Sequence, residues 1–232
     1  MLSLFLAIVM PMLQPEVLFL NAAEVISHLT SISPYSAVAL LYTAKYFLDG
    51  ALLLLFVRYA EKEKLNSVGI KRVTFFDAIS ALATCLLAFS VNSFGIHFWS
   101  SQAVQHSNQG RHLFLLLPRT LRFSYDAAAS FAEEIGIHAY IIERFTMLTG
   151  ELWVGGCLSV AVSLSMHFYV WGAHGGIERL PSLLLLAGLY LWRRNLGASV
   201  LAHFLIDAEL SMVLMLPKSI IHQVAFLPGL GH

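Results

Sequence analysis

Three short stretches of the chain carry residue types that do chemistry at spacings that a helix turns to one side. The first is Phe131-Ala-Glu-Glu-Ile-Gly-Ile-His138. On a helix Glu134 and His138, at i and i+4, share a face. Glu133 is turned about 100° from Glu134, following 3.6 residues per turn. Two adjacent carboxylates in a low-dielectric place are not both comfortable as anions, so one is set to hold a proton or to pair with His138. That suits a general base working on water. The second stretch is Ser163-Leu-Ser-Met-His167, and the third is His203-Phe-Leu-Ile-Asp207, again a pair at i and i+4. A carboxylate on the same face can fix the tautomer and orientation of a histidine. Each stretch also has a plainer reading: a solvated helix end, a packing histidine, a local neutralising pair. Together they place two Glu, two His and one Asp on three helices, with His138 alongside. Two chemistries fit this set. Glu133 with His167 could activate a water for attack on a peptide carbonyl, with His203 and Asp207 polarising its oxygen. Alternatively, carboxylates and imidazoles at these helical spacings could hold a metal, although the His-Glu-x-x-His zinc signature is absent.

The elements that must position these residues are apolar. The chain has 232 residues, of which 58% are hydrophobic and 12% charged. A soluble globular domain carries roughly 25% charged residues. Half that supply does not coat a water-facing surface of this size, and the apolar residues arrive in long runs. The expected fold class is all-α, a polytopic transmembrane helical bundle with six to seven spans. The 14 basic and 14 acidic residues leave no basic field for phosphate, which excludes nucleic acid as a partner. The composition also excludes a disordered chain and a disulfide-framed domain. The two cysteines, Cys85 and Cys157, each lie in an apolar run and read as packed thiols. An ionisable residue inside a membrane costs roughly 2.5–3.5 kcal/mol at the bilayer centre even on lenient scales, so it marks a site by default.

Residues 1–34 form an apolar segment, read as interfacial or as a weak span, in front of a membrane-embedded core at 35–217 and a tail at 218–232. The first basic residue is Lys45, so a signal-peptide n-region is not seen. Ser36–Val57 reads as a span containing Lys45 and Asp49 as a neutralised pair. Arg58–Arg72 carries five basic residues and reads as a cytoplasmic loop. Val73–Phe98 reads as a span, 99–123 as a loop with a short amphipathic piece, and Ser124–Met147 as a helix. Leu152–Ala173, the short Leu180–Trp192 and Leu196–Leu216 complete the bundle.

The three motifs resemble those of the CPBP family of intramembrane proteases, also called Abi: CAAX proteases and bacteriocin-processing enzymes. That family shows Glu-Glu-x-x-x-Arg, Phe-x-x-x-His and His-x-x-x-Asn or Asp. Here the separations are 34 residues from Glu133 to His167 and 36 from there to His203. The approach to the third motif, Gly188–His203, and the segment Asn66-Ser-Val-Gly-Ile70 are also similar to the family's, and the likeness runs over about residues 40–216. The resemblance implies cleavage of a peptide bond in a membrane-associated protein or peptide. By it, Glu133 and His167 would activate water, and His203 and Asp207 would stabilise the oxyanion. Glu134 belongs to the same motif, and no metal cofactor is expected, with zinc as the alternative. The sequence departs from the pattern at His138 (Arg in the family) and Ser163 (Phe), and has Asp207 where many members have Asn. Arg is always charged and presents a fixed fork of donors, whereas His can be neutral at pH 7. The expected location is a bacterial inner membrane, where prenylated substrates are not expected. Two other readings remain: a non-catalytic membrane immunity or anchoring protein that keeps the motif residues, and a membrane enzyme with a metal site.

Overall fold

The computed structural model describes residues 16–96 and 117–208. The start of the N-terminal segment, most of 99–123, the end of the last span and the C-terminal tail lie outside the described residues. Everything described is helix, turn or loop, with no strand among the described residues. Helix α1 runs Glu16–Thr30 and α2 runs Pro34–Leu55. Ser33 caps α2, its Oγ accepting from the amide of Ser36 at 3.1 Å, and Pro34 fills a first-turn position where its missing N–H is no loss. Helix α2 continues into a π-helical turn, Phe56–Ala60, and the loop beyond holds a 3₁₀ turn at Leu65–Val68. Helix α3 is Phe75–Ile96. Its start is a reciprocal cap: Thr74 Oγ1 accepts from the Asp77 amide at 3.2 Å, and Asp77 Oδ2 accepts from the Thr74 amide at 2.8 Å.

Helix α4, Arg119–Glu133, passes without a break into a π-helical stretch, Glu134–Tyr140, and then into α5, Ile141–Thr149. Arg119 and Arg122 are therefore helical and not part of the expected loop. The reason is Pro118, whose carbonyl accepts from the amides of Leu121 and Arg122 and opens the helix there. Helix α6 runs Leu152–Arg193, and α7 runs Leu196–Asp207 with Asn195 capping the amide of Gly197 at 3.0 Å.

The sequence separates Leu152–Ala173 from Leu180–Trp192; the structure joins them in α6 across a break at Gly172, with φ 71° and ψ −178°. Only glycine adopts that backbone readily. A β-carbon on Gly176, one turn on, would sit 2.0 Å from Phe168, so the two halves meet closely around the bend. Gly172→Ala is expected to cost about 1–3 kcal/mol, read as a lowered unfolding midpoint in detergent. An unchanged midpoint would contradict the break.

Among the described residues two larger buried clusters and a small one, Ala39 with Leu117 and Leu121, hold the bundle together. One larger cluster joins Leu53 and Val57 of the α2 end, Val68 of the loop, Ile135 and Tyr140 of the π stretch, Ile142, Tyr190 and Leu196. The other joins α3 to α6 and α7 through Ala81, Cys85, Leu186, Leu189, Ala202 and Ile206. Cys85 is thus packed as expected, whereas Cys157 is exposed. The outside is apolar as well. Leu40, Phe47, Leu48, Leu52 and Leu55 on α2, and Leu82, Leu86 and Leu87 on α3, all face outward. A continuous apolar face of that kind suits lipid rather than water. Among the described residues three stretches are long and apolar enough to cross a membrane: Pro34–Ala60, Phe75–Asn92 and Leu152–Tyr169. Helix α7 is apolar but shorter. The architecture is an all-α membrane bundle. The Lys45–Asp49 pair forms within α2 at 2.7 Å, as its spacing implies.

Candidate active site

Glu133 closes α4 and Glu134 opens the π stretch, all seven residues of which are buried. π-Helical turns are rare and recur at functional sites, because the extra residue per turn re-aims side chains. Here the turn holds Glu134, fully buried, against α7. Glu134 Oε1 lies 2.8 Å from Nδ1 of His203. The same oxygen lies 3.1 Å from Nδ1 of His138, close enough for an ion pair but without hydrogen-bond alignment. His138 is itself buried, and neither of its ring nitrogens has a hydrogen-bond partner among the described residues.

The other nitrogen of His203, Nε2, is 3.2 Å from Asp207 Oδ2 and 3.9 Å from Glu133 Oε2. One imidazole thus has three carboxylates around it, two from the α4–π junction and one from its own helix. With carboxylates on both nitrogens it donates from both sides only as the cation. Asp207 has a second cation, Arg179 of α6, whose Nη1 is 3.7 Å from Oδ1. Glu133 makes the longest of the three contacts to His203, its side chain is 21% exposed, and it also interacts electrostatically with Tyr46 of α2 and Tyr125 of α4.

His167 lies on the first half of α6. Its Nδ1 is 2.8 Å from the carbonyl of Ser163, one turn back, which fixes the ring. Nδ1–H then donates to that carbonyl, and Nε2 is left as the accepting nitrogen. Because the contact is to backbone, it does not depend on the residue at 163 being Phe. His167 interacts electrostatically with Asp207. The structure therefore gathers Glu133, Glu134, His138, His203 and Asp207 into one contact network. It sets His167 beside Asp207 rather than in direct contact with Glu133.

The motifs did not reveal Arg179, Asp126 or Arg122. Asp126 and Arg122 are buried on α4 and interact electrostatically with each other, and Asp126 also interacts with Asp207 and His203. A signal existed for this pair: Arg122 and Asp126 are four apart, and Asp126 precedes Glu133 by two turns on the same face. Arg179 had none, since its partner is 28 residues away in sequence. Among the described residues no three His, Cys, Asp or Glu side chains are arranged to hold a metal ion.

Comparison with curated proteins and with solved structures gives no significant match. Family comparison gives one informative result, and it covers all six candidate residues. From the second residue of α4 to the residue after α7, at 120–208, the chain matches the Rce1-like family, described as type II CAAX prenyl endopeptidase Rce1-like, in agreement with the family that its motifs resemble.

Proposed function

We propose that this protein is an intramembrane endopeptidase that hydrolyses a peptide bond of a membrane-associated protein or peptide. The observation that supports the reading most is Glu133. It is partly exposed beside the buried Glu134–His203 pair and the half-buried Asp207, with only a 3.9 Å contact to His203.

In this mechanism Glu133 takes a proton from a water, and the accepting Nε2 of His167 helps to orient that water. The water oxygen attacks the carbonyl carbon, and negative charge grows on the carbonyl oxygen. Nε2–H of His203, which faces Asp207 in the resting site, turns its one proton toward that oxygen. Glu134 holds Nδ1 of His203 and keeps the ring from turning. Asp207 contributes by holding His203, while Arg179 offsets its charge. An ionised Asp207 facing the oxyanion directly would oppose the reaction, and its two oxygens are directed at His203 and Arg179 instead. The C–N bond then breaks, and the proton taken by Glu133 passes to the departing amine. The base needs no metal to act, because a carboxylate is itself a competent base near neutral pH.

We place the protein in a bacterial inner membrane, with the substrate reaching the site from the bilayer or its surface. The test is the purified protein in lipid nanodiscs, mixed with membrane-anchored peptides in ¹⁸O-labelled water. New carboxyl termini carrying the label support hydrolysis. Their absence with folded protein favours the immunity or anchoring reading. The same assay addresses His138. His138→Arg is expected to keep or raise turnover near pH 7, since Arg supplies Glu134 with a permanent partner. Overpacking should lower stability by about 1–3 kcal/mol. A folded but inactive His138→Arg would show that His138 has a use of its own.

A further inference from the structure

The loop between α2 and α3 touches both elements that meet at the candidate site. On one side is Glu61. Its Oε1 accepts from the phenol of Tyr140, the last residue of the π stretch that begins with Glu134. Its Oε2 accepts from Arg144, one turn further on, at 2.9 Å from Nε and 2.6 Å from Nη2. The Arg144 guanidinium also lies over the Tyr140 ring, 5.0 Å from its centre, and reaches Ser67 Oγ of the same loop at 3.3 Å. On the other side is Gly69, whose carbonyl accepts from the amide of Leu196, the first residue of α7, at 2.8 Å. Gly69 has φ 75°, and a β-carbon there would lie 2.7 Å from the Tyr190 hydroxyl, so only glycine lets the loop come this close. Asn195, the cap of α7, binds the Arg72 carbonyl at 3.2 Å and Asp77 Oδ2 at 3.0 Å. One loop thus grips the end of the π stretch and the start of α7.

These are the two elements whose side chains meet at Glu134 and His203. A π-helical turn is less favourable than an α-helical one and persists where tertiary contacts hold it. Relaxing it to α would remove the extra residue and rotate Glu134 and His138 relative to α7. The Glu61–Tyr140 contact opposes that relaxation at the far end of the turn. We propose that Glu61, acting through Tyr140, is a positioning residue that holds the π turn in the register at which Glu134 meets His203.

This rests on the peptidase reading for its kinetic arm but not for its structural one. Glu61→Gln removes the charge that Arg144 reads, and Tyr140→Phe removes only the hydroxyl while leaving the ring packed. Lys64→Gln, exposed on the same loop, is the control. Each variant is measured by peptide turnover and by ¹⁵N NMR of histidine-labelled protein, with the His203 ring signals assigned by their loss in His203→Ala. Small misplacements of catalytic groups cost up to about 100-fold. Glu61→Gln and Tyr140→Phe are expected to lower kcat about 10- to 100-fold with KM within about 2-fold, and to displace the His203 signals. The double variant should be no worse than the poorer single one. Lys64→Gln should change neither readout. Unchanged His203 signals in Tyr140→Phe would overturn the proposal, even if the unfolding midpoint fell. If the wild type cleaves nothing, displaced His203 signals still support the positioning role, and the peptidase reading is what fails.

Discussion

Glu133→Ala is expected to reduce turnover at least about 10³-fold and to leave the unfolding midpoint nearly unchanged, a general base being worth roughly 10²–10⁴ in rate. The two halves of that expectation come from different facts. Glu133 is partly exposed, and its contact to His203 is long, 3.9 Å. Removing it leaves His203 with Glu134 at 2.8 Å and Asp207 at 3.2 Å. His203→Ala should abolish cleavage as completely, but it strips Glu134 of its hydrogen bond and should be less stable for that reason. Turnover by either purified, folded variant would remove the mechanism. A matched pair of kinetic and thermal measurements in the same nanodiscs decides it.

Glu134→Ala carries the largest expected cost in stability. Glu134 is fully buried and sits between two histidines, hydrogen-bonded to His203 and at ion-pair distance from His138. Removing one partner of a buried ion pair typically costs about 3–5 kcal/mol, since the other is left without compensation. Activity should vanish as well, because Nδ1 of His203 would lose its hydrogen bond and the ring would be held only from the Asp207 side. Glu134→Gln keeps the size and an accepting oxygen, so its loss in stability should be smaller than that of Glu134→Ala. The comparison is read in denaturant or thermal unfolding of the two variants beside the wild type. A Glu134→Ala protein as stable as the wild type would mean that the Glu134–His203 contact does not hold the junction of α4 and α7 together.

What was legible in the sequence was local. The pairs Lys45–Asp49, Glu134–His138 and His203–Asp207 follow from helical spacing, and all three lie within ion-pair distance. The apolar runs gave the bundle, because lipid tolerates them where water does not. Contacts between distant segments were not legible. Glu134 and His203 are 69 residues apart, and their meeting depends on a π turn that no local propensity signals. Such a turn is selected by what it packs against. Asp77 lies within 73–98, which reads as a span; it completes the cap of α3 with Thr74 and binds Arg193 at 2.9 Å and Asn195 at 3.0 Å, so its charge lies at a helix end where it has donors. The sequence ends one element at Ala173 and begins the next at Leu180, whereas the helix breaks at Gly172 and resumes directly. That difference lies in one backbone angle, which composition does not encode.

The central claim, that Glu133 acts on a peptide bond in a membrane, is met most directly by comparing new protein N-termini in membranes that express the wild type or Glu133→Ala at matched levels. The account expects a small set of termini present with the wild type and absent with the variant, from proteins that reside in or on the membrane. Identical termini in the two samples, with both proteins folded and inserted, would contradict it.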